Sequence, residues 1–191
     1  MTVKKRDNLK IEHMKILKSI TFTTLLFLAI GLNAQSNKDQ KIIKDANKAK
    51  DKLMKMEVGL DQFFTNSAGY VVFPNVGKGG FIIGGASGNG VVYENGIIIG
   101  MADLKKLSVG LQAGGQAITE IIFFETEADL AEFKKGDFEF SAEASAVALK
   151  SGISVNAKYR DGVAVFALPK AGLMADASVG GQKFAYKPMM N

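Results

Sequence analysis

The stretch Ala68–Met101, AGYVVFPNVGKGGFIIGGASGNGVVYENGIIIGM, constrains the fold most, because short apolar runs alternate there with glycine-rich turns. Ile, Val, Tyr and Phe fill the runs, and such side chains stack well on a pleated surface. Asn89-Gly90 and Asn95-Gly96 supply residues that tolerate φ > 0, which tight hairpin turns need. Gly80 to Ser87, Val91 to Glu94 and Ile97 to Met101 are therefore expected as three consecutive antiparallel strands.

The remainder extends this pattern. Ala117 to Glu125 is rich in β-formers, and Thr126 to Asp129 resembles a capping box with Asp in the place of Glu or Gln. Leu130 and Phe133 then give a short helix one apolar face, and Gly136 stops it. Phe138 to Ala148 and Ile153 to Arg160 alternate apolar and polar residues, the period of half-buried strands. Asp161-Gly162 turns the chain into Val163 to Leu168, while Leu173 to Val179 and Lys183 to Tyr186 complete the sheet. The expected class is α+β and mainly antiparallel β, a curved sheet or barrel-like β core with an N-terminal amphipathic helix and a short internal helix.

That N-terminal helix is expected over Asn37 to Phe64. Ile42, Ala46, Ala49, Leu53, Met56, Leu60 and Phe63 recur at spacings of three and four, one continuous apolar stripe. Gly59 marks a division between a long and a short helix. Seven lysines between Lys38 and Lys55 surround the stripe. Such a helix can pack on a core with a solvated lysine face, or lie on an anionic membrane surface.

Upstream, Lys15 and Lys18 precede an apolar run from Ile20 to Leu32 that ends in Leu32-Asn33-Ala34-Gln35. This is the order of a secretory signal peptide, with a run too short for a membrane span of roughly 20 residues. Residues 1–34 are thus expected to be an N-terminal extension and signal peptide, and residues 35–191 a single domain. The expected location is exported, periplasmic or extracellular, and peripheral to a membrane. Six of the 24 basic residues and two of the 19 acidic ones belong to that leader, which leaves 18 against 17. The basic balance of the whole chain therefore resides mostly in the leader, and nucleic acid is not expected as a partner.

Cysteine is absent, and the single histidine, His13, lies in the leader. Ser-His and Cys-His nucleophile pairs cannot be built from residues 35–191, nor can the usual zinc sites. No enzyme activity and no cofactor are expected. Gly77-Lys78-Gly79-Gly80 departs from a P-loop, because Gly79 stands where Ser or Thr follows the lysine. Glu120, Glu125, Glu139 and Glu143 show no feature that would tune them for acid–base work.

Six blocks in order carry a resemblance: FPNVGKGGF (Phe73 to Phe81), GVVYENG (Gly90 to Gly96), VGLQAGGQAITEIIFFET (Val109 to Thr126), FEFSAEASAVALKSG (Phe138 to Gly152), YRDGVAVF (Tyr159 to Phe166) and KAGLMADASVGGQKFAY (Lys170 to Tyr186). Over Phe63 to Tyr186 the chain resembles the SYLF lipid-binding domain family. The resemblance implies a non-enzymatic domain that binds lipid, with an amphipathic helix near its start contacting the membrane. Eukaryotic members bind phosphoinositides, yeast members also bind actin, and bacterial members are often exported or lipid-anchored. Here no SH3 or FYVE module accompanies the domain, so actin is not expected as a partner. Arg160 is the sole arginine after the leader, which provides no cluster for a multiply phosphorylated headgroup. Anionic phospholipid, or a membrane surface bearing it, is the expected partner. The candidate lipid-binding residues are Lys41, Lys44, Lys48 and Lys55 on the helix, with Lys78 of the glycine loop as a point charge for a phosphate. The competing role is a structural envelope protein that docks a protein partner, with lipid affinity incidental.

Overall fold

The computed structural model describes residues 37–55, 59–77, 85–107, 118–136, 138–140, 147–148, 158–169 and 181–189. The chain divides into two compact units, Met1–Lys41 and Ile42–Asn191. Of the first, residues 37–41 are described and are helical.

The second unit is built on one sheet. Its helix α1 (42–55) is followed by α2 (Asp61–Asn66), and Gly59, at φ 100°, separates the two as its position suggests. The strands are β1 (Gly69–Gly77), β2 (Gly85–Glu94), β3 (Ile97–Leu107), β4 (Ile118–Phe124), β5 (Val147–Ala148), β6 (Val163–Pro169) and β7 (Gln182–Pro188), with α3 (Glu127–Lys134) after β4. Among the described residues they form a seven-stranded sheet in the order β5-β6-β4-β1-β2-β3-β7, antiparallel except for the short β5–β6 pair.

Both faces of the sheet are covered, and this explains why the strands read as nearly unbroken apolar runs. Val71, Val92, Ile122, Phe124, Val165 and Phe184 point to one face, where Leu130 and Phe133 of α3 join them. Tyr70, Val72, Val91, Tyr93, Phe123 and Phe166 alternate to the other face, where Ala46, Leu53, Leu60 and Phe63 of the N-terminal helices pack. Thr126 caps α3 as expected: its hydroxyl accepts from the Asp129 N–H at 3.3 Å, and the Asp129 carboxylate accepts from the Thr126 N–H at 2.9 Å.

The barrel alternative is not realised among the described residues, because the edge strands β5 and β7 do not pair with each other. The sheet is nevertheless bent. Gln182 of β7 donates to the Glu120 carboxylate of β4 at 3.0 Å, although these strands stand four positions apart in the order. A flat sheet would separate them by roughly 19 Å, beyond the reach of the two side chains.

Two glycine pairs differ from one another. Asn95 (φ 52°) and Gly96 (φ 77°) form the expected tight turn between β2 and β3. Asn89-Gly90, expected as a second turn, lies instead inside β2, where Gly90 pairs with Ala102. The cause is steric: a Cβ on Gly90 would stand 2.6 Å from Phe73 Cδ1 and 2.9 Å from the Val72 carbonyl oxygen. Glycine here makes room for a buried ring rather than reversing the chain. Gly90→Ala is accordingly expected to cost about 1–3 kcal/mol through overpacking, read as a lower urea midpoint with an unchanged slope.

Other expectations are met in part. Phe138–Phe140 flanks β7, with the Phe140 N–H donating to the Gln182 carbonyl at 3.1 Å, and Val147–Ala148 pairs with β6. Residues 141–146, between these two pieces of the expected Phe138 to Ala148 strand, lie outside the described residues. Residues 158–160 are not a strand of their own. Arg160 only bridges to Val163 and closes the Asp161-Gly162 turn. Residues 80–84, 151–157 and 173–179 lie outside the described residues.

Candidate functional site

Helix α1 is held on the sheet by its apolar stripe. Ala46 and Leu53 are fully buried, and Ile42, Ile43 and Ala49 pack beside them. Two alanines on the stripe let the helix approach the strands closely. One polar and one charged contact fix its position. The Tyr93 hydroxyl donates to the Asn47 side-chain oxygen at 2.8 Å, and the Lys50 ammonium lies 5.1 Å from the Tyr93 ring centre. Burial, then the neighbouring Tyr70 and Asp51, pushes the Tyr93 hydroxyl well above its ordinary range. Tyr93 therefore stays a neutral donor.

Because the stripe faces the sheet, the residues half a turn away face solvent. Lys44, Lys48, Lys52 and Lys55 are all exposed and follow one another at intervals of four, four and three. At 3.6 residues per turn these intervals keep them in one row, roughly 16 Å long at 1.5 Å per residue. None of the four makes an ion pair with the described residues. Lys134, Lys183 and Lys187, on or beside the sheet, behave differently. They pair with Glu94 at 2.9 Å, Glu139 at 3.1 Å and Asp103 at 2.6 Å.

Of the residues expected to meet lipid, Lys44, Lys48 and Lys55 thus share this row. Lys41 is exposed on the helical residues of the Met1–Lys41 unit, and Lys78 lies outside the described residues. Lys52 was open to discovery from the spacing, since it stands four residues after Lys48. Lys50, one of the lysines around the stripe in sequence, is instead drawn against Tyr93.

The opposite face of the sheet is filled by aromatic rings. Phe124 and Phe133 lie 4.9 Å apart between centroids, Phe138 and Phe140 5.3 Å, and Phe140 and Phe184 5.3 Å. Glu120 and Gln182 are buried at this face with 0% and 2% exposure. Glu139, grouped with Glu120 in the sequence, is instead paired at the surface with Lys183. Among the described residues no group of His, Cys, Asp or Glu could hold a metal ion, and no helix is long and apolar enough to cross a membrane.

Comparison with known proteins adds two findings. The chain is 32% identical over 83 residues to Beta cell expansion factor A of Aeromonas veronii, covering 42% of this chain and 32% of that protein. It therefore spans about a third of the length of this relative. The sequence resemblance begins near Phe63, whereas the family comparison reaches from the end of β3 to the end of the chain, through β4, α3 and β5–β7. Residues 105–191 match, at family level, the SYLF/Ysc84 family described as Las17-binding protein actin regulator.

Proposed function

We propose that this chain is an exported, non-enzymatic protein that docks peripherally on anionic phospholipid through the outward lysine row of α1. The observation that carries this reading is the row itself: Lys44, Lys48, Lys52 and Lys55 are exposed in one line along α1 without an ion pair among the described residues, whereas Lys134, Lys183 and Lys187 are paired. Lys105 and Lys158 share the exposure but not the line. An ammonium near an anionic bilayer gains on the order of 1 kcal/mol, and a row of four accumulates that gain. The leader-like Lys15 to Gln35 pattern supports export, and the SYLF resemblance supports a lipid partner.

The packing also shapes the mode of binding. The apolar stripe of α1 is spent on the sheet, so docking is electrostatic and contacts headgroups. The aromatic filling of the other face argues against a buried acyl chain. Binding is then strongest at low salt and on anionic vesicles, and weakens as screening rises.

A vesicle flotation series tests this with the full chain. Replacing Lys44, Lys48, Lys52 and Lys55 with glutamine is expected to lower binding to anionic vesicles by about two to three orders of magnitude at low salt. Neutral vesicles should float neither protein. A folded quadruple variant, judged by circular dichroism, that floats like the parent removes the row as the docking surface. The family description favours a second reading, in which the chain meets an acidic protein filament such as actin, although the match covers residues 105–191 and not α1. Lysine-dependent co-sedimentation with filamentous actin, without vesicle flotation, would put that reading in place of the first.

A further inference from the structure

We infer that Asn95 is a site of spontaneous deamidation, and that the fold protects the chain's other Asn-Gly pair, Asn89-Gly90, from the same reaction. The two dipeptides are chemically identical and only six positions apart, so any difference in reactivity comes from structure.

The reaction needs the backbone nitrogen of the following residue to reach the side-chain carbonyl carbon. Glycine at that position offers the least obstruction. In the chain, the Gly96 nitrogen attacks Asn95 Cγ and forms a C–N bond while the bond from Cγ to the amide nitrogen breaks. The proton of the Gly96 N–H leaves with that nitrogen as ammonia, and a five-membered succinimide remains. Water then opens either imide bond, returning an N–H to the backbone and leaving an aspartate or an isoaspartate. Nothing is oxidised or reduced.

Asn95 and Gly96 are both exposed at the tip of the β2–β3 hairpin, and a Cβ placed on Gly96 would meet nothing within 4 Å. The backbone there, at φ 52° and 77°, can open locally without disturbing either core. Asn89 is held on both sides of the reacting bond. Its side-chain nitrogen donates to the Asp103 carboxylate, so the leaving group is fixed in place. Gly90 sits in the ladder opposite Ala102 and beneath the Phe73 ring, so its nitrogen cannot swing toward the side chain. Reaction at Asn89 requires the centre of the sheet to open first.

Conversion at Asn95 has a structural consequence. An isoaspartate routes the main chain through the side-chain β-carbon and lengthens a two-residue turn by one atom. It also adds a carboxylate beside Glu94, which holds Lys134 at 2.9 Å.

The test is timed incubation of the purified chain in mildly alkaline buffer, followed by peptide mapping with mass spectrometry. Asn95 is expected to convert at least about tenfold faster than Asn89, the factor set by one charge-assisted hydrogen bond. In denaturant the two sites should convert at comparable rates. The Asn95→Asp variant retains the turn chemistry and should lose most of the ammonia released by the folded chain. Asn89 keeping pace in the folded chain would overturn the inference. So would an intact Asn95 over a period in which the denatured chain converts.

Discussion

Phe133→Ala lowers the unfolding free energy by about 3–5 kcal/mol, the range for deleting a buried aromatic side chain. Phe133 is fully buried, and its ring centre lies 4.9 Å from Phe124, 5.8 Å from Phe138 and 5.7 Å from Phe184. These neighbours come from β4, the segment beside β7, and β7 itself, so one ring on α3 joins distant parts of the sheet. Little can collapse into the space, because the surrounding rings are already in mutual contact. At 2–4 °C per kcal/mol for a chain of this size, the melting temperature falls by on the order of 10 °C. Ile97→Ala serves as the control, since Ile97 is 69% exposed and its loss should stay within about 0.5 kcal/mol. Equal thermal shifts for the two variants would show that α3 is not part of the core.

Much of this core is legible in the sequence, and the reason is periodicity. Leu130 and Phe133 fall three apart behind a capping box, which fixes the helix and its buried face together. The α1 stripe is equally plain, because apolar residues at spacings of three and four can form only one face. What the stripe packs against is not legible. A stripe bordered by lysines suits a protein core or a membrane alike, and the sheet residues Tyr70, Tyr93 and Phe123 decide between them. Asn-Gly is a turn signal only where nothing needs the space above the glycine. Asn95-Gly96 meets that condition, while Gly90 lies under a ring 17 positions earlier in the chain. Openness of the sheet depends on whether its edge strands meet, and no local pattern encodes that. The lysine row follows from helical geometry once the buried stripe is known. Lys50 lies outside the row by the same geometry, roughly 120° around the helix from Lys44, and on that side it meets the Tyr93 ring.

Glu120 is the residue whose role the local sequence hides most completely, and its replacement gives the second large expected effect. In AITEIIFFE it falls on the same side of the strand as Ile118, Ile122 and Phe124, yet its charge suggests a surface position. The structure buries it fully, with Gln182, 62 positions away, donating to its carboxylate at 3.0 Å. Glu120→Leu removes that acceptor and leaves the Gln182 amide in a site only 2% exposed. Leaving a buried donor unsatisfied costs about 1–3 kcal/mol. Gln182→Leu instead removes the amide that donates to the Glu120 carboxyl, and is expected to cost a comparable amount because that carboxyl is fully buried. Replacing both partners removes the polar groups together, so the double variant should be less destabilised than the two single losses added. A double-mutant cycle read by urea denaturation should therefore return a coupling of about 1–3 kcal/mol. That coupling would join β4 to β7, four positions apart in the strand order, and so would report the bend of the sheet in solution. Independent sites add to within about 0.5 kcal/mol. Strict additivity here would mean that the two side chains do not meet, and the sheet would then have to be flatter than the Glu120–Gln182 contact requires.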